Sequence, residues 1–305
     1  MYLEFFYIAG VISVALIADK AFGEVNRFHP LVGLGKYVNW VKKTCWKASK
    51  VRGLLALIVA FLPLIPLLLI PRYFLLDAII LYFVIGARSL SEHGNAVGDA
   101  LIETDLPLAR ERVSMIVSRK TANLTEQEVV NATLESVLEN GNDALFGALF
   151  WFAVAGIPGA IIYRFANTLD AMWGYKNNTF KEFGWAAAKF DDLLNYIPAR
   201  ICAIFYAMGG QFSLAIQSWK KQAHKCASPN GGVVMSAGAG SLNIQMGGAA
   251  EYEGYKCDKP ILGTGKPATA QDIHRACRLV WLSGIYWVLF LLLIGLMMGT
   301  LEHLK

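Results

Sequence analysis

Three short strings in this chain carry polar side chains in patterns suited to phosphates and hard cations. Asn167-Thr168-Leu169-Asp170 sets Asn167 and Asp170 three residues apart, on one face of a helix, with Gly174, Tyr175 and Lys176 just after. Asp191-Asp192 precedes Asn195 and closes at Pro198-Ala199-Arg200. The third string opens on Thr125-Glu126-Gln127-Glu128, which has the form of a helix-starting capping box and leads into an apolar stripe at Val130, Leu134, Val137 and Leu138. If that helix runs through Gly141, Asn131, Glu135, Glu139 and Asp143 share its opposite face. Asp and Asn oxygens at these spacings are donors for Mg²⁺ together with nucleotide phosphates, and poor ligands for a soft metal. Taken singly, each cluster is more often a helix cap, a surface turn or a solvated face. Three of them beside apolar walls, one running directly into a segment at membrane depth, are harder to dismiss, because carboxylates there are costly unless they meet a cation.

The basic residues supply the complementary half. Arg88 ends an apolar span, and Arg110, Arg112, Arg119 and Lys120 follow, where guanidinium forks could hold phosphate oxygens or simply provide loop charge. No GxxxxGK[ST] or GxGxxG occurs, so nucleotide binding would use neither a Walker nor a Rossmann cradle. His29, His93, His224, His274 and His303 are isolated, and no GxSxG or Cys/His pairing suggests a hydrolase. Cys45, Cys202, Cys226, Cys257 and Cys277 form no CxxC pair, which fits free thiols in a reducing compartment and argues against zinc.

These groups need a scaffold, and the composition says which kind. Of the 305 residues 55% are hydrophobic and 17% charged, against about 45 to 50% and about 25% in soluble globular chains. That excludes an ordinary soluble enzyme, a disordered chain and a disulfide scaffold, and leaves an all-α, polytopic membrane protein. Spans are expected near residues 3–18, 53–71, 73–88 and 279–300, the first without the basic flank or cleavage pattern of a signal peptide. The apolar runs 144–163 and 197–216 are interrupted by Gly and Pro, and are expected to be broken, re-entrant or buried in the bundle. The stretch 88–143 reads as two helices, and the Gly-rich stretch 228–248 as an ordered or ligand-facing loop. Residues 1–305 are expected to form a single integrated membrane domain. Lys36, Lys42, Lys43, Lys47, Lys50 and Arg52 crowd one connection with no acid between Glu24 and Asp77, which places it on the cytoplasmic side. The net charge of +5 is modest, and this basic run sits between apolar spans, so a nucleic-acid partner is not expected.

In combination, Asn167-Thr168-Leu169-Asp170 with Gly174-Tyr175-Lys176, Asp191-Asp192 through Asn195 to Pro198-Ala199-Arg200, and Ser228-Pro229-Asn230 resemble the CobD/CbiB family of adenosylcobinamide-phosphate synthases. Gly23-Glu24, His29-Pro30, Arg88-Ser89-Leu90, residues 113–121 and 135–143, Leu149-Phe150, Gly247-Gly248 and Asp258-Lys259-Pro260 extend the resemblance along nearly the whole chain. It implies a multi-pass enzyme of the cytoplasmic (inner) membrane, with its site on the cytoplasmic side. The implied ligase joins aminopropanol phosphate or ethanolamine phosphate to a propionate carboxyl of adenosylcobyric acid, with ATP as co-substrate and Mg²⁺ as cofactor. Asp170, Asp192, Lys176 and Arg200 would then be the catalytic set, and Mg²⁺ would be held by some of Glu139, Asp143, Asp170, Asp191 and Asp192. Arg200, Lys176 and Arg119 would clamp phosphates, with Arg88 and Tyr175 in the binding set. Asn140, Asn167 and Asn195 would orient neighbouring groups, since an amide is neither charged nor basic near neutral pH. Ser228 and Asn230 would bring backbone amides to the corrinoid or the amine. The resemblance leaves room for a homo-oligomer and for association with other corrinoid-synthesis enzymes.

The chain departs from the family pattern at Lys120, within Ser118-Arg119-Lys120-Thr121, where an acid is usual. It also departs at Val25, Ala144 and Ala148, which alter backbone stiffness more than chemistry. Two other classes fit the same residues. A Mg²⁺-dependent membrane transferase of diphosphate substrates would turn over without ATP. A non-enzymatic membrane sensor of the same family would tolerate loss of Asp170 and Asp192. A transporter fits the broken helices, but most polar residues lie outside the spans.

Overall fold

The computed structural model describes residues 2–24, 30–174, 180–252 and 255–304. Twelve α-helices carry the architecture: α1 (Tyr2–Phe22), α2 (Pro30–Cys45), α3 (Lys50–Phe61), α4 (Phe74–Val84), α5 (Ala87–Ile102), α6 (Leu106–Ser114), α7 (Glu126–Gly141), α8 (Gly147–Trp173), α9 (Trp185–Met208), α10 (Phe212–Gln222), α11 (Gly231–Leu242) and α12 (Ala270–His303). Between α11 and α12, β1 (Ile244–Met246) pairs antiparallel with β4 (Leu262–Gly263) and parallel with β5 (Lys266–Pro267). β2 (Ala249–Tyr252) and β3 (Tyr255–Asp258) form a separate antiparallel hairpin. Among the described residues, five helical stretches, Tyr2–Phe22, Lys50–Leu69, Phe74–Ile102, Glu126–Trp173 and Ala270–His303, are long and apolar enough to cross a membrane. The molecule is therefore an all-α, multi-pass membrane protein, and the spans expected from the sequence overlap four of these stretches.

The chain divides into two compact units. The first comprises residues 1–86, 147–195 and 291–305. In it α1 lies against α4 and against the end of α12, where Gly295 faces Phe5 and Phe6 and Gly299 faces Tyr2. At this small-x-x-x-small pair the missing side chains make room for the Phe5, Phe6 and Tyr2 side chains of α1.

α8 does not run straight. Ala155 (φ −136°, ψ 17°) and Gly156 (φ 62°, ψ −153°) reverse it, the second in a region that L side chains rarely adopt. Gly147 packs on the Tyr163 phenol and Gly159 on the Trp151 backbone, so the two limbs are antiparallel. Glu126–Trp173 is thus not one crossing but a helix that folds back, as the Gly/Pro-interrupted run 144–163 led us to expect. A Cβ at the Gly156 tip would meet Arg72 Nε at 3.9 Å. Arg72 joins α3 to α4 and pairs with Glu4 at 2.5 Å and Asp77 at 3.9 Å. The opposite end of this unit is the α2–α3 connection, where Lys42 sits over Phe180, Lys50 over Trp185, and Gly53 against the Phe183 carbonyl. A Cβ at Gly53 would overlap that carbonyl, which belongs to backbone and cannot swing away. Gly53→Ala should therefore lower stability by about 1–3 kcal/mol. Gly33→Ala on α2, with open space around its Cβ, should not. Thermal melting of the two variants in detergent checks the contrast.

The second unit comprises residues 87–146 and 196–290. Here the expectation of two helices over 88–143 is corrected to three. Thr104 takes a left-handed φ of 61°, and Asp105 then caps a separate short helix, α6, by accepting the Leu108 N–H at 2.9 Å. The capping box at Thr125 is present: its hydroxyl accepts the Glu128 N–H at 3.3 Å, and its own N–H donates to Glu128 Oε2 at 2.7 Å. α7 continues through Gly141 into a wide π turn at Asn142–Phe146. The run 197–216 is broken, as expected, at Gly209-Gly210, where Gly210 packs on Ser241 and the Gln211 N–H donates to the Ser241 carbonyl at 2.8 Å.

The loop expected over 228–248 is also corrected, because most of it is the buried helix α11. Glycine disfavours a helix in water but allows close approach. Gly232, Gly238 and Gly240 sit directly against Ala223, Leu138 and Leu214, so neighbouring chain stabilises what local propensity does not.

Candidate functional site

In the first unit, the returning limb of α8 presents Tyr163, Asn167 and Asp170 at helical spacing toward Asp191, Asp192 and Asn195 of α9. The Tyr163 hydroxyl donates to Asn195 Oδ1 at 2.8 Å, and Asn195 Nδ2 donates to Asp191 Oδ2 at 3.1 Å. Asn167 Nδ2 reaches Asp191 Oδ1 at 3.5 Å. Two of the three amides expected to orient their neighbours, Asn167 and Asn195, therefore point at the same carboxylate. Asp192 accepts from Lys189 at 3.0 Å on the exposed side. Burial disfavours a charge on Asp170, and the Asp192 charge does so to a lesser degree. Gly174 leaves room for Asp170, since a Cβ there would overlap Asp170 Oδ1. Tyr175 and Lys176 lie outside the described residues.

This oxygen-only donor set suits Mg²⁺, which keeps several waters and uses one or two carboxylates plus substrate phosphates. Among the described residues no group of three or more His, Cys, Asp or Glu side chains is placed to hold a metal ion. Of the five carboxylates implied as ligands, Asp170, Asp191 and Asp192 belong to the first unit, and Glu139 and Asp143 to the second.

The second unit holds its own polar cluster along one face of α7. Asn131 donates to the Gly247 carbonyl at 2.7 Å. One turn on, Glu135 Oε2 accepts from Arg119 Nη2 at 2.5 Å and from Lys259 Nζ at 2.6 Å. The Arg119 and Glu135 side chains are each only 8% exposed, so the pair is desolvated. One further turn on, Glu139 Oε1 sits against Gly231 at the start of α11, where a Cβ would overlap it. A carboxylate there faces the positive end of the helix dipole. Ser228 Oγ accepts the Gly231 N–H at 2.9 Å. Arg200 Nη1 donates to Asn230 Oδ1 at 3.1 Å and to the Tyr196 carbonyl at 2.6 Å, with its guanidinium stacked on the Tyr196 ring. Arg119, Glu139, Arg200, Ser228 and Asn230, all expected from sequence, thus lie along one connected set of contacts with α7 and α11.

Other expected residues have local roles. Asn140 Nδ2 donates to Ser136 Oγ and to its carbonyl at 3.1 and 2.9 Å. Asp143 accepts from Asn142 at 2.9 Å. Arg88 pairs with Glu92 one turn along α5 at 2.6 Å. Arg110 and Arg112 donate to the Leu124 and Ala96 carbonyls, at 2.7 and 2.6 Å. Lys120, the position where an acid is usual, is exposed.

Sequence reasoning gave no role to Tyr163, Lys259 or Cys226, and placed Glu135 on the acid face of α7 without its partners. Tyr163 stands four residues before Asn167 and Glu135 four before Glu139, so helical spacing was an available signal for both. Lys259 belonged to the matching string Asp258-Lys259-Pro260, but nothing local gives it a partner. Cys226 sits beside this cluster. Burial, with Glu139 and then Glu135 repelling a thiolate, pushes its pKa to about 11, and Lys259 only partly offsets this. Between the ordinary thiol value of 9.0 and about 11 the unfolded thiol ionises while the folded one stays protonated. The stability this group contributes is therefore complete below pH 9.0 and is lost as pH rises through about 11. Iodoacetamide labelling of Cys226, with the other cysteines replaced, should be slow at neutral pH and climb toward pH 11. Lys259→Met should slow it further.

Fold and clusters together define a class: a multi-pass helical membrane protein with an acidic polar seam in one unit and a desolvated ion-pair cluster in the other. The family model for CobD/Cbib protein matches residues 12–280. The Cobalamin biosynthesis protein CobD of Chromobacterium violaceum is 46% identical over 95% of this chain and 98% of its own length. That of Stutzerimonas stutzeri is 47% identical over 92% and 96%, and that of Leptospira interrogans 34% identical over 93% and 96%. No solved structure matches the chain. This chain belongs to the CobD/CbiB family, and its place is in cobalamin biosynthesis.

Proposed function

We propose that the protein is an ATP- and Mg²⁺-dependent amide ligase. It joins the amine of aminopropanol phosphate or ethanolamine phosphate to a propionate carboxyl of adenosylcobyric acid, giving adenosylcobinamide phosphate. The observation that carries this reading is the Asp191 carboxylate, oriented by the Asn167 and Asn195 amides where α8 and α9 face each other. Asp170 and Asp192 add two more carboxylates along the same two helices, an arrangement that becomes useful when a cation and phosphate arrive.

One or two of Asp170, Asp191 and Asp192 would hold Mg²⁺ together with substrate phosphates, where the ion would offset phosphate charge. Asn167 and Asn195, with Tyr163 behind Asn195, fix the Asp191 carboxylate. Phosphoryl transfer from ATP to the carboxylate oxygen releases ADP and leaves an acyl phosphate. The amine then attacks the carbonyl carbon, the C–O bond to phosphate breaks, and the amine loses its proton as the amide forms. Arg200, held by Asn230 and Tyr196, presents a fixed cation for a phosphate oxygen. Arg119 acts through Glu135 as part of the charge balance around Glu139. The acidic seam lies toward the same end of the first unit as the basic α2–α3 connection, because Trp173, three residues past Asp170, packs on Phe183. Positive-inside logic puts that end on the cytoplasmic face of the inner membrane, where ATP is available.

Purified protein in detergent, given ATP, Mg²⁺, adenosylcobyric acid and aminopropanol phosphate, should form ADP and adenosylcobinamide phosphate in equal amounts. Omission of either the acid or the amine should abolish ADP formation. ATP-independent turnover would overturn the reading.

A further inference from the structure

The α2–α3 connection carries more charge than the fold consumes. Lys43, Lys47, Lys50 and Arg52 are all exposed there, and Trp46 beside them is 47% exposed. Among the described residues none of these four cations is in an ion pair. Their mutual repulsion is held in place by packing. The Tyr37 hydroxyl on α2 donates to the Val59 carbonyl on α3 at 2.8 Å, and Val38 and Val41 are buried in one core cluster with Ala56, Leu57 and Ala60. These contacts make α2 and α3 an antiparallel hairpin. Lys42 and Lys50 rest on the Phe180 and Trp185 rings, which fixes its basic end further.

Directly beyond the cations, the free face of α3 turns aliphatic: Val51, Leu54, Leu55 and Ile58 are all exposed. From the end of α2 through the connection into α3, the chain runs from cations with an indole among them to hydrocarbon surface. A soluble anion would satisfy only the first part. A molecule with an anionic head and acyl chains satisfies all three.

We propose that the basic end of the α2–α3 hairpin binds an anionic glycerophospholipid, with its phosphate against Lys43, Lys47, Lys50 and Arg52 and its acyl chains along Leu54 and Ile58. Each cation near an anionic lipid surface is worth about fivefold in affinity. Loss of all four should therefore weaken binding by more than about 100-fold. The site is independent of the ligase chemistry.

The full chain in neutral detergent is titrated with phosphatidylglycerol or phosphatidylcholine and read by native mass spectrometry and melting temperature. Phosphatidylglycerol should remain bound and raise the melting temperature, and phosphatidylcholine should do neither. The combined Lys43→Gln, Lys47→Gln, Lys50→Gln, Arg52→Gln protein should lose this response. Lys220→Gln with Lys221→Gln, an exposed basic pair on α10, should keep it. Wild-type protein photo-crosslinked to a phosphatidylglycerol probe should carry the label on the peptide containing Trp46, a readout that does not depend on the variant folding. Equal binding of the two lipids, an unchanged response in the four-Gln variant, displacement by inorganic phosphate, or crosslinks confined to other peptides would each overturn the proposal.

Discussion

Asp170→Asn should lose corrinoid amidation by more than about 100-fold while melting at or above the wild-type temperature. The amide replacement is isosteric, and it removes a charge that is disfavoured by burial first and by the Asp192 charge second. Structure alone should gain from the exchange, as at many sites where function keeps an unfavourable arrangement. Activity should not. Loss of second-layer partners at metal sites already costs about 10- to 100-fold, and a direct donor should cost more. Asp192→Asn should show the same split with a smaller stability gain, because Asp192 already has Lys189 at 3.0 Å. A variant that unfolds while its folded fraction turns over normally would assign Asp170 to packing. Activity with melting profiles in detergent decides between these outcomes.

Glu135→Ala should be the most destabilising single polar change in the second unit. It removes the carboxylate that pairs with Arg119, whose side chain is 8% exposed, and with Lys259. Removing one partner from a buried pair costs about 3–5 kcal/mol, since a charge is left without compensation. Lys259→Met should cost less, because Lys259 is 28% exposed and its departure leaves Arg119 and Glu135 paired. Replacing all three by apolar residues of similar volume should recover much of the loss, as buried ion pairs are often no better than a packed apolar alternative. Unfolding of the four proteins in mixed micelles gives the comparison.

The spans were legible because a helix that crosses a membrane must be apolar along its length, which composition records directly. The fold-back of α8 was legible for a related reason: Gly156 and Pro158 interrupt an apolar run that could not otherwise tolerate them. α11 was not, since glycines that serve close packing look like loop glycines until Leu138, Ala223 and Leu214 arrive from elsewhere in the chain. α6 was hidden by its length and by a left-handed Thr104, a conformation no local pattern announces. The acid face of α7 could be read from spacing, but its pairing could not. Lys259 is 124 positions from Glu135, and only the β1–β5 region and the hairpin above it bring the two together. The amide contacts to Asp191 were foreseeable in kind, because amides near carboxylates orient them. The Tyr163 hydroxyl behind Asn195 was not, since a tyrosine in an apolar run reads as packing.

Isotope transfer probes the proposed chemistry most directly. Adenosylcobyric acid labelled with ¹⁸O in its free propionate carboxyl is turned over with ATP and the amino-alcohol phosphate, and the released inorganic phosphate is examined by mass. Activation through an acyl phosphate predicts one ¹⁸O in each phosphate released. Unlabelled phosphate accompanying normal amide formation would contradict it.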